Sequence, residues 1–345
     1  MRGFVGSQPR VTAHAVFVLA VTCCAALVAP RTFAYQTSVY AGLIGQAAAG
    51  LYTVAALAAG LRAEGQPLRA SLAIVRGAAP RVLPALTGLV LLMAAFTTLK
   101  TAFPAFVPFY ADRALAAADV AVLGQHAWSM VHGLVGPIGR EALWFLYGGP
   151  WFAWWIGTAL FAIAMPPSGL RTAYLRAFAL KIVLLGVVAA TLCSSAGPVF
   201  YDRLLGGDAF ADLAAMLTVA DGGTGAFPPD YLWENHVRGG VGIGTGISAF
   251  PSIHCAGAFL NALFWGRIDR RLGAAGWAFA GLIWLGSMVT GWHYASDGVA
   301  SLIGVLLIWR AVAPAREGQP ARSARRTARR FAIPISVSVG TKPSS

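Results

Sequence analysis

The chain has 345 residues, 57% of them hydrophobic and only 11% charged, with a formal net charge of +13. A soluble domain carries about 25% charged residues. The composition therefore excludes an ordinary soluble enzyme and predicts an all-α, polytopic membrane helix bundle, because lipid leaves no unpaired backbone. The four cysteines lie in or beside apolar runs and form no CxxC pair, so neither a disulfide framework nor a structural zinc site is expected.

Apolar runs of spanning length (roughly 17–25 residues) fall near 12–30, 38–60, 82–101, 143–165, 175–194, 254–268, 272–290 and 296–313, about eight transmembrane helices. Residues 1–34 have a rival reading as a cleaved signal, with Arg2 and Arg10 ahead of an apolar stretch. Residues 105–140 mix Asp112, Arg113, Asp119, His126 and His132 with apolar residues at helical spacing. They read as an amphipathic helix lying on the membrane surface, with both histidines on its solvated face. The tryptophans Trp144, Trp151, Trp154 and Trp155 read as an interfacial belt.

Of the 26 Lys and Arg residues, nineteen fall on the side shared by the termini and the 61–81, 166–176 and 267–271 loops, and six on the other side. Lys181 is left inside a span. The positive-inside rule then puts both termini in the cytoplasm of a multi-pass inner (plasma) membrane protein. The Arg-rich tail, 314–345, reads as disordered and held to anionic lipid, which accounts for much of the charge without nucleic acid.

Two polar islands interrupt the apolar sequence, Gly242–Cys255 (GIGTGISAFPSIHC) and Gly291–Asp297 (GWHYASD). A span that enters at His254 and returns after Gly266–Arg271 brings His254 and His293 to the same extracytoplasmic level. His293 and Asp297 are four residues apart, on one face of a helix. Two histidines and a carboxylate suit a metal site or nucleophilic and acid–base chemistry. The glycine-rich lead-in favours an anion: Gly246 and its neighbours let backbone amides turn toward a phosphate, and Ser252 adds a donor at a helix N-terminus. The chemistry so assembled is phosphoryl transfer, with no further metal ligand offered nearby and no cofactor expected. His293 is the nucleophile, Asp297 its partner and His254 the general acid and base.

At these residues the sequence resembles the type-2 phosphatidic acid phosphatase superfamily, and within it the branch of inositol phosphorylceramide synthases (inositolphosphotransferase-like). The matching motifs are FPSIH (Phe250–His254) and GWHYASD, with SAGPVFYD (Ser195–Asp202) and the helix Tyr110–His132 similar to further segments of that branch. The resemblance implies a six-helix core, an outward-facing site and a phosphohistidine intermediate. It divides the chain into N-terminal helices 1–104, a phosphatase-like core 105–313 and the tail 314–345. Ordinary members carry an Arg six residues before the nucleophile, where this chain has Ser287, and no KxxxxxxRP occurs. Arg203, Arg238 and His236 stand as candidate phosphate-binding residues in their place.

The expected function is cleavage or transfer of a lipid phosphate ester, with a lipid phosphate phosphatase as the leading reading. Head-group transfer of inositol or sugar phosphate to a lipid alcohol is the alternative. The expected partners are a membrane lipid phosphate and an acceptor, water or an alcohol. A transporter with a histidine proton relay is a third reading; polar groups at one face rather than the midplane argue against it.

Overall fold

The computed structural model describes residues 13–62, 67–220 and 229–314. Readings that rest on the first twelve residues and on the tail from 315 lie outside them. The described residues contain helices and no strand.

In chain order the helices are α1 (Ala13–Val28), α2 (Pro30–Arg62), α3 (Pro67–Ala102), α4 (Asp112–Leu123), α5 (Ala127–Gly148), α6 (Pro150–Ala164) and α7 (Gly169–Leu180). A π-helical stretch, Lys181–Ala189, joins α7 to α8 (Ala190–Leu192). Then come α9 (Tyr201–Leu205), α10 (Ala211–Ala220), α11 (Pro229–Arg238), α12 (Ile253–Ile268), α13 (Arg270–Val289) and α14 (Ala295–Val312).

Among the described residues, five stretches are long and apolar enough to cross a membrane: Pro30–Leu61, Arg76–Ala105, Gly169–Leu192, Arg270–Val289 and Ala295–Val312. Exposed Leu57, Val188, Ile303 and Leu307 give these helices apolar outer faces, as lipid contact requires. The helices α1, α6 and α12 have 16, 15 and 16 residues. At about 1.5 Å per residue they are short for a full crossing.

The ends are set by local chemistry. Ser252 caps α12 by accepting from the Cys255 amide, and Asp269 caps α13 by accepting from Arg271 and Leu272. A single residue therefore separates α12 from α13, and the two run back antiparallel in close contact. A Cβ on Gly273 would lie 2.5 Å from the Gly266 Cα, so only glycine allows that approach. The beginnings of α12 and α14 meet at one end, where Ser301 Oγ donates to the Ser252 carbonyl at 2.8 Å. This is the juxtaposition expected from the returning hairpin.

Three expectations need correction. The run 143–165 is not one span: Gly148, Gly149 and Pro150 break it, and Pro150 starts α6, where a missing N–H costs nothing. The surface helix 105–140 is two helices, because Gly124 adopts φ 77° and ends α4. Its polar groups face inward, with Asp112, Asp119 and His132 buried. The tryptophans are not all a surface belt either, since Trp151 and Trp155 are buried in the core.

Candidate active site

The candidate residues His254, His293 and Asp297 converge on the end of the bundle where α12 and α14 begin. Asp297 lies in the first turn of α14 and is fully buried. Its Oδ2 accepts from the Tyr294 amide at 3.1 Å and lies 3.1 Å from His293 Nδ1. The carboxylate that caps the helix thus also orients the imidazole, leaving Nε2 turned away from Asp297. The His293 amide donates to the Ser287 carbonyl at 3.2 Å, fixing the backbone as well. Ser287, at the position where ordinary relatives of the resembling family have arginine, is wholly buried and donates to the Trp284 carbonyl.

A second segment locks this turn from outside. The Val199 amide donates to the Gly291 carbonyl, and Gly197 has φ 97°. A Cβ at 197 would stand 2.5 Å from the Trp292 carbonyl oxygen, so only glycine lets SAGPV lie against GWH.

His254 occupies the first turn of α12. Its ring stacks on Tyr147 at 4.8 Å and on Trp151 at 4.1 Å, while Trp151 Nε1 donates to the His254 carbonyl. The His254 and His293 ring centroids are 6.4 Å apart. Both rings line one cavity of about 290 Å³. The loop 243–248, Tyr40, Leu43 and Ile44 of α2, Met93, Phe96 and Lys100 of α3, and the aromatic residues of α5 and α6 complete its wall.

The structure separates the other candidates. Gly246, with φ 92°, lies in the cavity wall. Ser252 is buried and committed to capping α12, so it supports His254 rather than reaching the cavity. Arg203 and Arg238 do not line the cavity, which corrects their reading as phosphate-binding residues. Arg203 is ion-paired to Asp230, and Arg238, 76% exposed, faces Glu234 one turn earlier on α11. His236 packs on Phe109 and Trp233, also away from the cavity, and burial lowers its pKa. Among the described residues no three His, Cys, Asp or Glu side chains gather as metal ligands would.

Residues not singled out in the sequence turn out to hold the site. Asp112 Oδ1 accepts from Ser195 Oγ, the Gly197 amide and Tyr294 Oη, and its Oδ2 accepts from the Ala196 amide, all within 3.0 Å. Asp119 accepts from the Ala295 and Ser296 amides, the first turn of α14. One short helix, α4, therefore grips both the 194–197 loop and the GWHYASD turn. Burial raises the Asp119 pKa against the pull of those amides, and raises that of Tyr294 further still, with Asp112 adding to it. The sequence signal was present as two acidic residues seven apart on a helix whose one other charge is the exposed Arg113.

His132 is part of the same frame, not of a solvated face. Its Nε2 lies 2.9 Å from the Val289 carbonyl at the end of α13. Burial lowers its pKa, with Arg140 adding and the Val289 bond opposing. The folded chain thus resists a proton that the unfolded chain accepts. Stability is kept above the ordinary histidine range and falls as pH drops through it toward the lowered value. Thermal midpoints between pH 7.5 and 5.5 should show this acid-side loss, and His132→Gln should flatten it. An unchanged slope in the variant would remove His132 from the effect.

Comparison with known proteins agrees with the geometry. Residues 140–311 match the family model of the PAP2 superfamily, a stretch that runs from the second half of α5 to the last turn of α14 and includes both histidines and Asp297. No curated protein and no solved structure matches. Residues 140–311 thus carry a PAP2-superfamily domain, which supports a membrane enzyme of the phosphatase or phosphotransferase type.

Proposed function

We propose that the protein is a lipid phosphate phosphatase working through a phosphohistidine. The observation that carries this reading is the buried His293–Asp297 pair facing His254 across the head of an apolar cavity. With Asp297 accepting from Nδ1–H, the Nε2 lone pair is free to attack phosphorus. The Nε2–P bond forms as the P–O bond to the lipid breaks, and His254 gives its proton to the leaving oxygen. Water then attacks phosphorus, His254 takes its proton, and the Nε2–P bond breaks.

The apolar wall supports a lipid substrate. Leu43 lines the cavity yet is 47% exposed on the outer face of α2, so the cavity meets the lipid phase beside α2. Arg81, Arg171 and Tyr52 share the opposite end of the bundle, and Arg267, Arg270 and Arg271 flank the α12–α13 turn there. That distribution supports cytoplasmic termini and a site at the outer leaflet. Ser287 in place of the arginine of ordinary members favours the inositol phosphorylceramide synthase-like branch, and with it transfer to an alcohol as the second reading.

The test is turnover by the full chain in detergent on lipid phosphates and phosphoinositol lipids, with and without inositol or diacylglycerol. Brief reaction with a 32P-labelled lipid phosphate should leave an acid-labile, base-stable label on the protein. Free phosphate as product supports the phosphatase, and an alcohol-dependent phosphodiester supports transfer. Turnover with no such label would sink the covalent intermediate.

A further inference from the structure

We infer that Lys100, from α3, is the cation that holds the phosphoryl oxyanion in the active cavity. The inference rests on the phosphoryl-transfer reading and gives that reading its missing charge.

Histidines aside, Lys100 is the one cationic side chain among the described residues that line the cavity, and no Asp or Glu lines it. Among the described residues, no hydrogen bond or ion pair engages its ammonium. A cation facing an apolar chamber without a counter-ion is costly at membrane depth and marks a place where an anion belongs. Lys100 shares the wall of one cavity with His254 and His293, so it stands on the same chamber as the reacting groups.

The loop 243–248 is built over it. A Cβ on Gly246 would lie 3.2 Å from Lys100 Cγ and 3.0 Å from Thr101 Oγ1, so the backbone rests directly on this turn of α3. Gly244 and Gly246 have φ 69° and 92°. The Thr245 hydroxyl bonds both backbone groups of Gly242, closing the loop on itself. A lysine beneath a turn of positive-φ glycines joins a point charge to amides free to face an anion.

Lys181 does not compete for the role. Its Nζ is fully buried, lies 4.4 Å from the centre of the Phe178 ring, and is outside the cavity wall. Arg203 and Arg238 are held by carboxylates elsewhere. Lys100 also lies outside the matched segment 140–311, so the N-terminal helices complete the site rather than merely flank it.

The test uses the full chain in detergent with orthophosphate as the probe. Its inhibition of turnover gives one arm, and the KM for a dioleoyl phosphatidic acid substrate gives the other. Lys100→Gln should raise the orthophosphate inhibition constant and the KM tenfold or more, and Lys100→Arg should restore most of both. In His293→Ala, which binds without turning over, orthophosphate should raise the thermal midpoint, and adding Lys100→Gln should abolish the rise. The last comparison separates this inference from the catalytic one. Orthophosphate protection that depends on Lys100 in a chain without turnover on any phosphate ester would support the lysine site and defeat the enzyme reading. Equal orthophosphate inhibition in the unaltered chain and Lys100→Gln would overturn the inference. So would a raised KM with unchanged orthophosphate inhibition, because the lysine would then serve another part of the lipid.

Discussion

His293→Ala should lower phosphate release by at least about 1,000-fold, since a unit built on one covalent nucleophile keeps only the binding contribution when it is removed. The ring lines the cavity and Asp297 keeps its bond from the Tyr294 amide, so the protein should still fold. His254→Ala should cost about 100- to 10,000-fold on a lipid phosphate, the usual scale for a general acid. The two losses differ in kind. An aryl phosphate leaves without a proton, so it should recover much of the His254→Ala loss and none of the His293→Ala loss. Steady-state rates on a lipid and an aryl ester, side by side, measure this. Recovery in His293→Ala would reverse the two assignments.

Asp112→Ala should be the most damaging change outside the histidines. The side chain is 1% exposed and accepts four hydrogen bonds. Removing it strands Ser195 Oγ, two loop amides and Tyr294 Oη inside the protein. At about 1–3 kcal/mol for each unsatisfied donor, discounted for relaxation, the cost is about 4 kcal/mol. For a chain of this size that is a fall of roughly 5 °C in thermal midpoint. Asp112→Asn should recover part of the loss, because its Oδ1 can keep three of the donors while its amide nitrogen faces only the Ala196 N–H. Thermal unfolding in detergent reads the fall, and a midpoint within about 2 °C of the unaltered chain would show that α4 does not hold the turn. Tyr294 lies between the two regions, with its amide on Asp297 and its hydroxyl on Asp112. Loosening Asp112 should therefore lower turnover in the molecules that remain folded.

Much of this protein is written in short-range sequence. Long apolar runs without charge have one stable outcome in lipid, so membrane helices could be placed from composition alone. Their ends shifted where a glycine or proline acted, as at Gly148–Pro150. The pairing of His293 with Asp297 is equally local: four residues apart on a helix, they share a face whatever surrounds them. His254 needed only one hairpin between two apolar runs.

The tertiary structure decided which charges serve the site. Arg203, Arg238 and the half-buried Lys100 are alike as letters in a sequence. What separates them is whether a carboxylate lies within reach: Glu234 meets Arg238 one turn away within α11, and the fold brings Asp230 of α11 to Arg203. Asp112 and Asp119 looked like the polar face of a surface helix, because periodicity reports that a face is polar but not what it meets. Here it meets the backbone amides of two turns, and those partners lie 83 to 182 residues away along the chain. Separations of that size leave no periodic trace, so the sequence determined the His293–Asp297 pair and the helices, and packing alone chose the groups that hold them.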